Sequence, residues 1–505
     1  MAIQTFMMEE FMRKHMMMVL LLVAAVLTAL TAQAVGENQN RVDSVQTQAK
    51  PKYVFMFIGD GMSHVQINAA QILKGSSEKG NLSLKPLTFT EFPALGLQTT
   101  YDATSFCPDS ASTATSLSSG YKTHSGTIGL GIDKQVVGQT IAEQLKAQKG
   151  WKVGLVSTVT LNHATPAAYY AHVPSRNNYY DIGVQMVESG FDYFGGGAIS
   201  KAEDGGRTSI YTLLERAGYL VTDNKQQILN LTSASGKVYA QNPRLQDSGS
   251  MPYAMDMNEM DVSLAQFVEK GIDVLDNPEG FFMMVESGKI DWACHANDAV
   301  AEIYDLLAFD QAIAVALDFA KIHPEETLIV VTGDHETGGM TIGYAGTGYN
   351  TAFDILYNQK ISYIAFDEKF AKMQKENPNM GFEQVLSMVA ADFGLVAPGE
   401  TAANKAMILS ALEYAKLEAA FKQAMLPAKQ RDGGDQAYLL YGGYNPFSVT
   451  LTHILNNKAG IGWTSYSHTG TPVGVYAYGS GSELFAGSYD NTDVYAKLKQ
   501  LTGIV

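Results

Sequence analysis

The tightest constraint on this chain is a set of short, nearly uninterrupted apolar runs, several of which stop at or just before a charged residue. Residues 53–58, 153–157, 281–285 and 328–332 are rich in β-branched and aromatic side chains. A run without polar alternation reads as a strand buried on both faces, as in the interior of a helix-covered parallel sheet. Residues 95–100 and 473–478 are further strand candidates, and helix-like stretches at 141–148 and 300–320 lie among them. In the second stretch Val300, Ile303, Leu306, Ile313 and Leu317 recur at a roughly helical period. The expected fold is α/β, with a large, central, mostly parallel sheet and helices on both of its faces. Ligands in such sheets bind beyond the carboxyl ends of the strands.

The chain of 505 residues is 46% hydrophobic and 17% charged, enough for a sizeable core and far from the composition of a disordered chain. Residues 342–450 differ in character. Phe382, Val385, Leu386, Val389 and Phe393 mark an amphipathic helix, residues 401–425 are rich in Ala, Leu, Lys and Glu, and Pro427 ends that stretch. The reading is a helical insertion at about 342–450 within one domain spanning 35–505; a second independent domain is the alternative. Residues 1–34 read as a signal peptide. Arg13 and Lys14 precede an apolar run at 16–30, and Ala32-Gln-Ala34 matches a small-residue cleavage site. The run is short for a membrane span, so no stable membrane anchor is expected, and export to the periplasm or beyond is. The net charge of −16 and the lack of a basic track exclude a nucleic-acid-binding surface. Two cysteines, Cys107 and Cys294, do not make a disulfide scaffold.

Chemistry concentrates at the ends of the runs. The first ends in Gly-Asp60-Gly, the fourth in Gly-Asp334-His335-Glu336, and the third delivers Glu286 ahead of Asp291 and His295. Asp291 and His295 are four residues apart, so a helix places them on one face, where they can grip one ion. His468 precedes the last strand candidate. Gly-Asp after a strand is ordinary turn chemistry. Seven such groups together form a mixed carboxylate and imidazole set that suits zinc and divides into two sites. In Cys107-Pro-Asp-Ser110, Pro108 and Asp109 read as a helix start, with Ser110 in the first turn. Free N–H groups there favour an anion, and a metal can activate such a serine. A capping serine is the alternative on local sequence.

From about Lys52 to its end the chain resembles the alkaline phosphatases, metal-dependent phosphomonoesterases. The resemblance rests on Ile58-Gly-Asp60-Gly-Met62, Pro108-Asp-Ser110-Ala, Ala164-Thr-Pro166, Val285-Glu286 through His295, Thr332-Gly-Asp334-His335-Glu336 and Ser467-His468-Thr-Gly470, in family order. It implies hydrolysis of small phosphate monoesters through a phosphoserine on Ser110, with Arg176 gripping the phosphate. It implies one Zn2+ on Asp291, His295 and His468, and a second on Asp60, Asp334 and His335. A third site, usually Mg2+, is implied on Asp60, Thr165 and Glu286. A homodimer is common in the family.

Two positions depart from the pattern. His163 stands where the family often has Asp, so the third site is open to Zn2+ or Co2+ as well as Mg2+, because imidazole is a softer ligand. Trp292 stands where Lys or His is frequent, so no cation from that position reaches the phosphate. Rival activities on the same core are a diesterase, which typically lacks the third site, and a sulfatase. A sulfatase needs a C/S-x-P-x-R setting that Cys107-Pro-Asp-Ser110 does not provide. A non-catalytic envelope protein that binds phosphate or metal is the rival from another class.

Overall fold

Ten strands build one sheet. They are β1 (Tyr53–Gly59), β2 (Ala94–Thr99), β3 (Lys152–Ser157), β4 (Tyr193–Gly196), β5 (Tyr219–Thr222), β6 (Lys237–Gln241), β7 (Phe281–Ser287), β8 (Thr327–Gly333), β9 (Val473–Gly479) and β10 (Gly487–Asp490). Their order across the sheet is β10-β2-β9-β8-β1-β7-β3-β4-β6-β5. Neighbours pair in parallel except β9, which runs antiparallel to both β2 and β8. The computed structural model describes residues 50–76 and 82–505, with positions 8, 10, 12, 13 and 15–18. Those N-terminal positions are helical; the remainder of segment 1–34, cleavage site included, lies outside the described residues. Among the described residues no helix is long and apolar enough to cross a membrane.

The central strands explain their own composition. In β1, Tyr53, Phe55 and Phe57 enter one apolar core, while Val54, Met56 and Ile58 enter a second. β7 divides the same way, with Phe281, Met283 and Val285 on one side and Phe282 and Met284 on the other. Side chains alternate across a strand, so a sheet with apolar layers on both faces needs apolar residues at every position. Five helices bear on the site: α1 (His64–Gly75), α2 (Ser110–Ser119), α3 (Leu264–Leu275), α4 (Lys289–His295) and α5 (Ala299–Ile322). Ile67 of α1, Phe267 of α3 and Ile303 of α5 join the first core, and Ala114 and Leu117 of α2 join the second.

Between Ile342 and Ile461 the chain forms the helices Tyr363–Glu376, Leu386–Phe393, Ala411–Met425, Asp435–Tyr441 and Pro446–Ala459. It returns at Ile461–Gly462, antiparallel to Thr341–Ile342. Phe366, Phe370, Phe421 and Phe447 carry this segment into the first core. The apolar set from Phe382 to Phe393 is broken into a 3₁₀ turn, Phe382–Gln384, and a helix that begins at Leu386. The Gly381 N–H donates to Gln384 Oε1 at 2.7 Å, which closes the tight turn first. The next helix starts at Ala411, later than its composition implies, because Ser410 and Glu413 form a reciprocal cap.

The register decides what leaves the sheet together. Gly59 lies level with Ser287 on one side and Gly333 on the other. Asp60 and Asp334 therefore emerge side by side, with Glu286 two residues back on β7. The approach is close enough that a Cβ on Gly333 would lie 2.0 Å from the Met62 carbonyl oxygen. Gly333→Ala is expected to cost about 1–3 kcal/mol through forced backbone displacement, read as a lower urea midpoint. An unchanged midpoint would show that the β1–α1 turn yields freely.

Candidate active site

Ser110 opens α2 as the sequence suggests. Asp109 is the N-cap, its side chain accepting from the Ser112 N–H at 3.1 Å. All ten residues of α2 are buried despite their hydroxyls. Apart from that of Ser110, those hydroxyls are satisfied by carbonyls, as in Ser116 to Ser112 O at 3.1 Å and Ser118 to Ala168 O at 2.6 Å. Ser110 Oγ lies 3.2 Å from His335 Nε2. His335 Nε2 is in turn 3.3 Å from Asp60 Oδ1 and 3.4 Å from Asp334 Oδ2. Asp334 is oriented by three donors, Gly61 N–H at 3.2 Å, Thr113 Oγ1 at 3.1 Å and His335 N–H at 3.0 Å.

A second group forms beside the first. His295 Nε2 is 3.3 Å from Asp291 Oδ2 and 3.1 Å from His468 Nε2, and His468 Nε2 is 3.5 Å from Asp291 Oδ1. Each imidazole is aimed by a backbone carbonyl on its Nδ1: Tyr466 O for His295 and Pro108 O for His468, both at 2.6 Å. Such anchoring fixes a ring's tautomer and leaves Nε2 for a ligand. Thr337 Oγ1 donates to Asp291 Oδ1 at 2.5 Å. His335 stacks on His468 with ring centroids 3.7 Å apart, and one of its ring nitrogens lies within 4.8 Å of ligand atoms of Asp291 and His468, and one likewise of Asp60 and Asp334.

Glu286 and Thr165 sit behind Asp60. Thr165 Oγ1 is 3.5 Å from Asp60 Oδ2, and Ser157 Oγ donates to Glu286 Oε2. His163 is drawn elsewhere. Its Nε2 accepts from Arg176 Nη2 at 3.2 Å, and its ring meets Trp292 edge-on at 5.8 Å. Arg176 Nη1 also donates to Asp109 Oδ2 at 2.9 Å, so the cap residue of α2 ties the guanidinium to the Ser110 helix. Ser110, His163, Arg176, Asp291, Trp292, His295 and His468 all line one cleft of about 560 Å³.

The electrostatics are those of a crowded anionic pocket. Burial, then the charges of Asp334, Asp291 and Glu286, hold Asp60 well above the usual carboxylate range. Burial pushes Asp334 up to about 7 and Glu286 up to about 7. Burial would also raise Asp291, but His295 and His468 hold it well below its ordinary value. Burial and then the Arg176 charge push His163 down to about 3, so it is a neutral acceptor. Asp60 Oδ1 and Glu286 Oε1 are buried without a hydrogen-bond donor. Buried carboxylates with bare oxygens beside neutral imidazoles fit divalent cations, whose charge would satisfy what no protein donor reaches.

Some contributors are silent in the sequence. Thr113 follows Ser110 by three residues and so shares its helix face, which is the one available signal for it. Thr337, Ser157, Lys289 and Asp247 reach the site through tertiary packing alone. Cys107 is exposed, Cys294 is buried, and both are free thiols.

The chain is similar to known proteins over most of its length. The family described as alkaline phosphatase matches residues 51–504. Alkaline phosphatase 3 of Bacillus subtilis (strain 168) is 31% identical over 495 residues, 95% of each chain. Alkaline phosphatase 4 of the same organism is 32% identical over 460 residues, 89% of this chain and 88% of that one. The crystal structure of the cold-active alkaline phosphatase of the psychrophile Shewanella sp. superposes with a TM-score of 0.72 at 26% identity, covering 89% of this chain and 99% of that one. Fold and relatives together define a phosphoric monoester hydrolase. The chain belongs to the alkaline phosphatase family.

The raised carboxyls make a signed prediction for metal-free protein. Glu286 moves from its ordinary 4.5 to about 7 and Asp334 from 3.8 to about 7, so across that interval the folded state binds more protons than the unfolded one. Stability contributed by these groups is present at low pH and is lost as pH rises through about 7. His295, which Asp291 lifts against burial to about 9, has the same sign at higher pH. The urea midpoint of chelator-treated protein is expected to fall from mildly acidic to alkaline pH, and added zinc and magnesium are expected to flatten that slope. A midpoint that rises over the range contradicts the assignment.

Proposed function

We propose that this chain hydrolyses phosphate monoesters by passing the phosphoryl group first to Ser110 and then to water. The observation that carries the reading is the position of Ser110. Its Oγ stands at the first turn of α2, 3.2 Å from His335 Nε2, in the cleft that Arg176 also lines. Asp291, His295 and His468 would hold one zinc ion, and Asp60, Asp334 and His335 a second. Asp60, Thr165 and Glu286 would hold the third ion, magnesium, with zinc or cobalt as alternatives if His163 turns from Arg176 toward it. Bound there, the ions supply Lewis acidity that lowers the serine pKa and stabilises charge on the leaving oxygen.

The chain's own groups do the positioning. The free N–H groups at the start of α2 and the Arg176 guanidinium offer donors to non-bridging phosphate oxygens. Asp109 and His163 hold that guanidinium in place before substrate arrives, which limits the ordering cost of binding. In the first step the Ser110 Oγ–P bond forms as the ester P–O bond breaks, and the alcohol departs with a proton. In the second, water attacks phosphoserine from the vacated side, releasing inorganic phosphate and restoring the hydroxyl. Trp292 lines the cleft without bringing a cation to the phosphate. Export through the 1–34 segment and a homodimeric assembly belong to the same proposal and rest on the N-terminal sequence and on the family.

Metal analysis of the purified protein, run beside rates for p-nitrophenyl phosphate and its bis ester, tests the reading. Zinc near two ions per chain and a strong preference for the monoester are expected. Ser110→Ala is expected to lower kcat about 10³-fold or more at unchanged metal content; turnover that survives it would sink the phosphoserine step. His163→Asp combined with Trp292→Lys is expected to raise magnesium dependence and to tighten inhibition by product phosphate, since release often limits turnover. If neither quantity moves, the role given to these two positions is wrong.

A further inference from the structure

The wall of the cleft contains a carboxylate that phosphoryl transfer to Ser110 leaves unused. Asp247 lines the cleft together with Ser248, Tyr363 and Tyr444, and its side chain is 20% exposed. Neither residue of the turn is glycine, yet the backbone is left-handed at both, with φ of 44° at Asp247 and 61° at Ser248. The turn is held from below. Lys289, wholly buried, donates to Ser250 Oγ at 2.9 Å and lies 3.6 Å from Asp247 Oδ2. The same ammonium sits over the rings of Tyr253 at 3.8 Å and Trp292 at 4.8 Å.

Lys289 does not turn this wall positive, because it faces the carboxylates of Asp247, Asp305 and Asp256. Tyr363 Oη lies 3.5 Å from Asp247 Oδ2, and the Tyr363 ring packs edge-on against Tyr444 at 5.8 Å. Both tyrosines come from the segment between Ile342 and Ile461. A carboxylate flanked by aromatic rings in a partly desolvated cleft is a receptor for an ammonium group. The guanidinium and the hydroxyl that the reaction needs are supplied by other residues, so this wall is available to the alcohol portion of the ester.

We infer that Asp247, with Tyr363 and Tyr444, forms a leaving-group subsite selecting phosphate monoesters of amino alcohols. Asp247 is the specificity-determining residue, and Lys289 positions its turn. The inference rests on the phosphatase reading above and adds the substrate class to it. Ethanolamine phosphate and propyl phosphate differ by a terminal ammonium in place of a methyl, and their kcat/KM ratio cancels differences in active-enzyme content between preparations.

With the metal-loaded full chain, at a pH below the ammonium pKa, that ratio is expected to favour the ethanolamine ester about fivefold. It is expected to fall toward unity in Asp247→Asn, to persist in Asp247→Glu, and to shrink in the wild type at high salt. A wild-type ratio at or below unity, a ratio indifferent to salt, or a ratio that survives Asp247→Asn overturns the inference while leaving the phosphatase reading intact. Absence of turnover with both esters and with p-nitrophenyl phosphate overturns the two together.

Discussion

Because Gly59 lies level with Ser287 and Gly333 in the parallel ladder, Asp60 and Asp334 leave the sheet side by side, and Glu286 lies two residues back on β7. Everything at this end of the molecule depends on that register. A slip of one residue would move a carboxylate by about 3.3 Å and turn every side chain of the strand to the opposite face. The register is enforced far from the site, by the division of β1, β7 and β8 between two apolar cores. Core packing and chemistry are thus one constraint: Phe57 and Met56 help to set where Asp60 emerges.

The same convergence creates an electrostatic problem. Three buried carboxyl groups, Asp60, Asp334 and Glu286, are brought to one place, and burial resists their ionisation. The imidazoles divide the response. His295 and His468 stabilise Asp291 as an anion, while His335 is held well below its ordinary pKa by burial and by neighbouring His468. Neutral nitrogen beside reluctant carboxylate is the state from which a divalent cation gains most. Asp109 links this pocket to the Arg176 guanidinium, because one side chain both caps α2 and pairs with Arg176.

What was legible in the sequence is what local physics decides. Unbroken apolar runs announced the buried strands, a Pro-Asp step announced the start of α2, and the spacing of Asp291 and His295 announced a shared helix face. The antiparallel course of β9 was not legible, since Val473–Gly479 is as free of charged residues as the parallel strands β1 and β8, and pairing direction leaves no mark on composition. Likewise the periodic set from Phe382 to Phe393 does not show that a capped turn interrupts it. Lys289 and Asp247 were silent for a different reason. Their meaning is a contact between residues 42 positions apart, and a lone lysine at a helix start reads as a solvated charge.

The short helix α4 joins the two halves of the site. Asp291 and His295, four residues apart, turn toward the other metal-type donors. Lys289 and Trp292, three apart, share another face, with the ammonium over the indole. The Trp292 ring shelters the buried Lys289 ammonium beneath the Asp247 turn. A second cation placed at 292 would stand close to Lys289. The same seven-residue helix thus carries residues of the carboxylate–imidazole group and a lysine that backs the Asp247 turn.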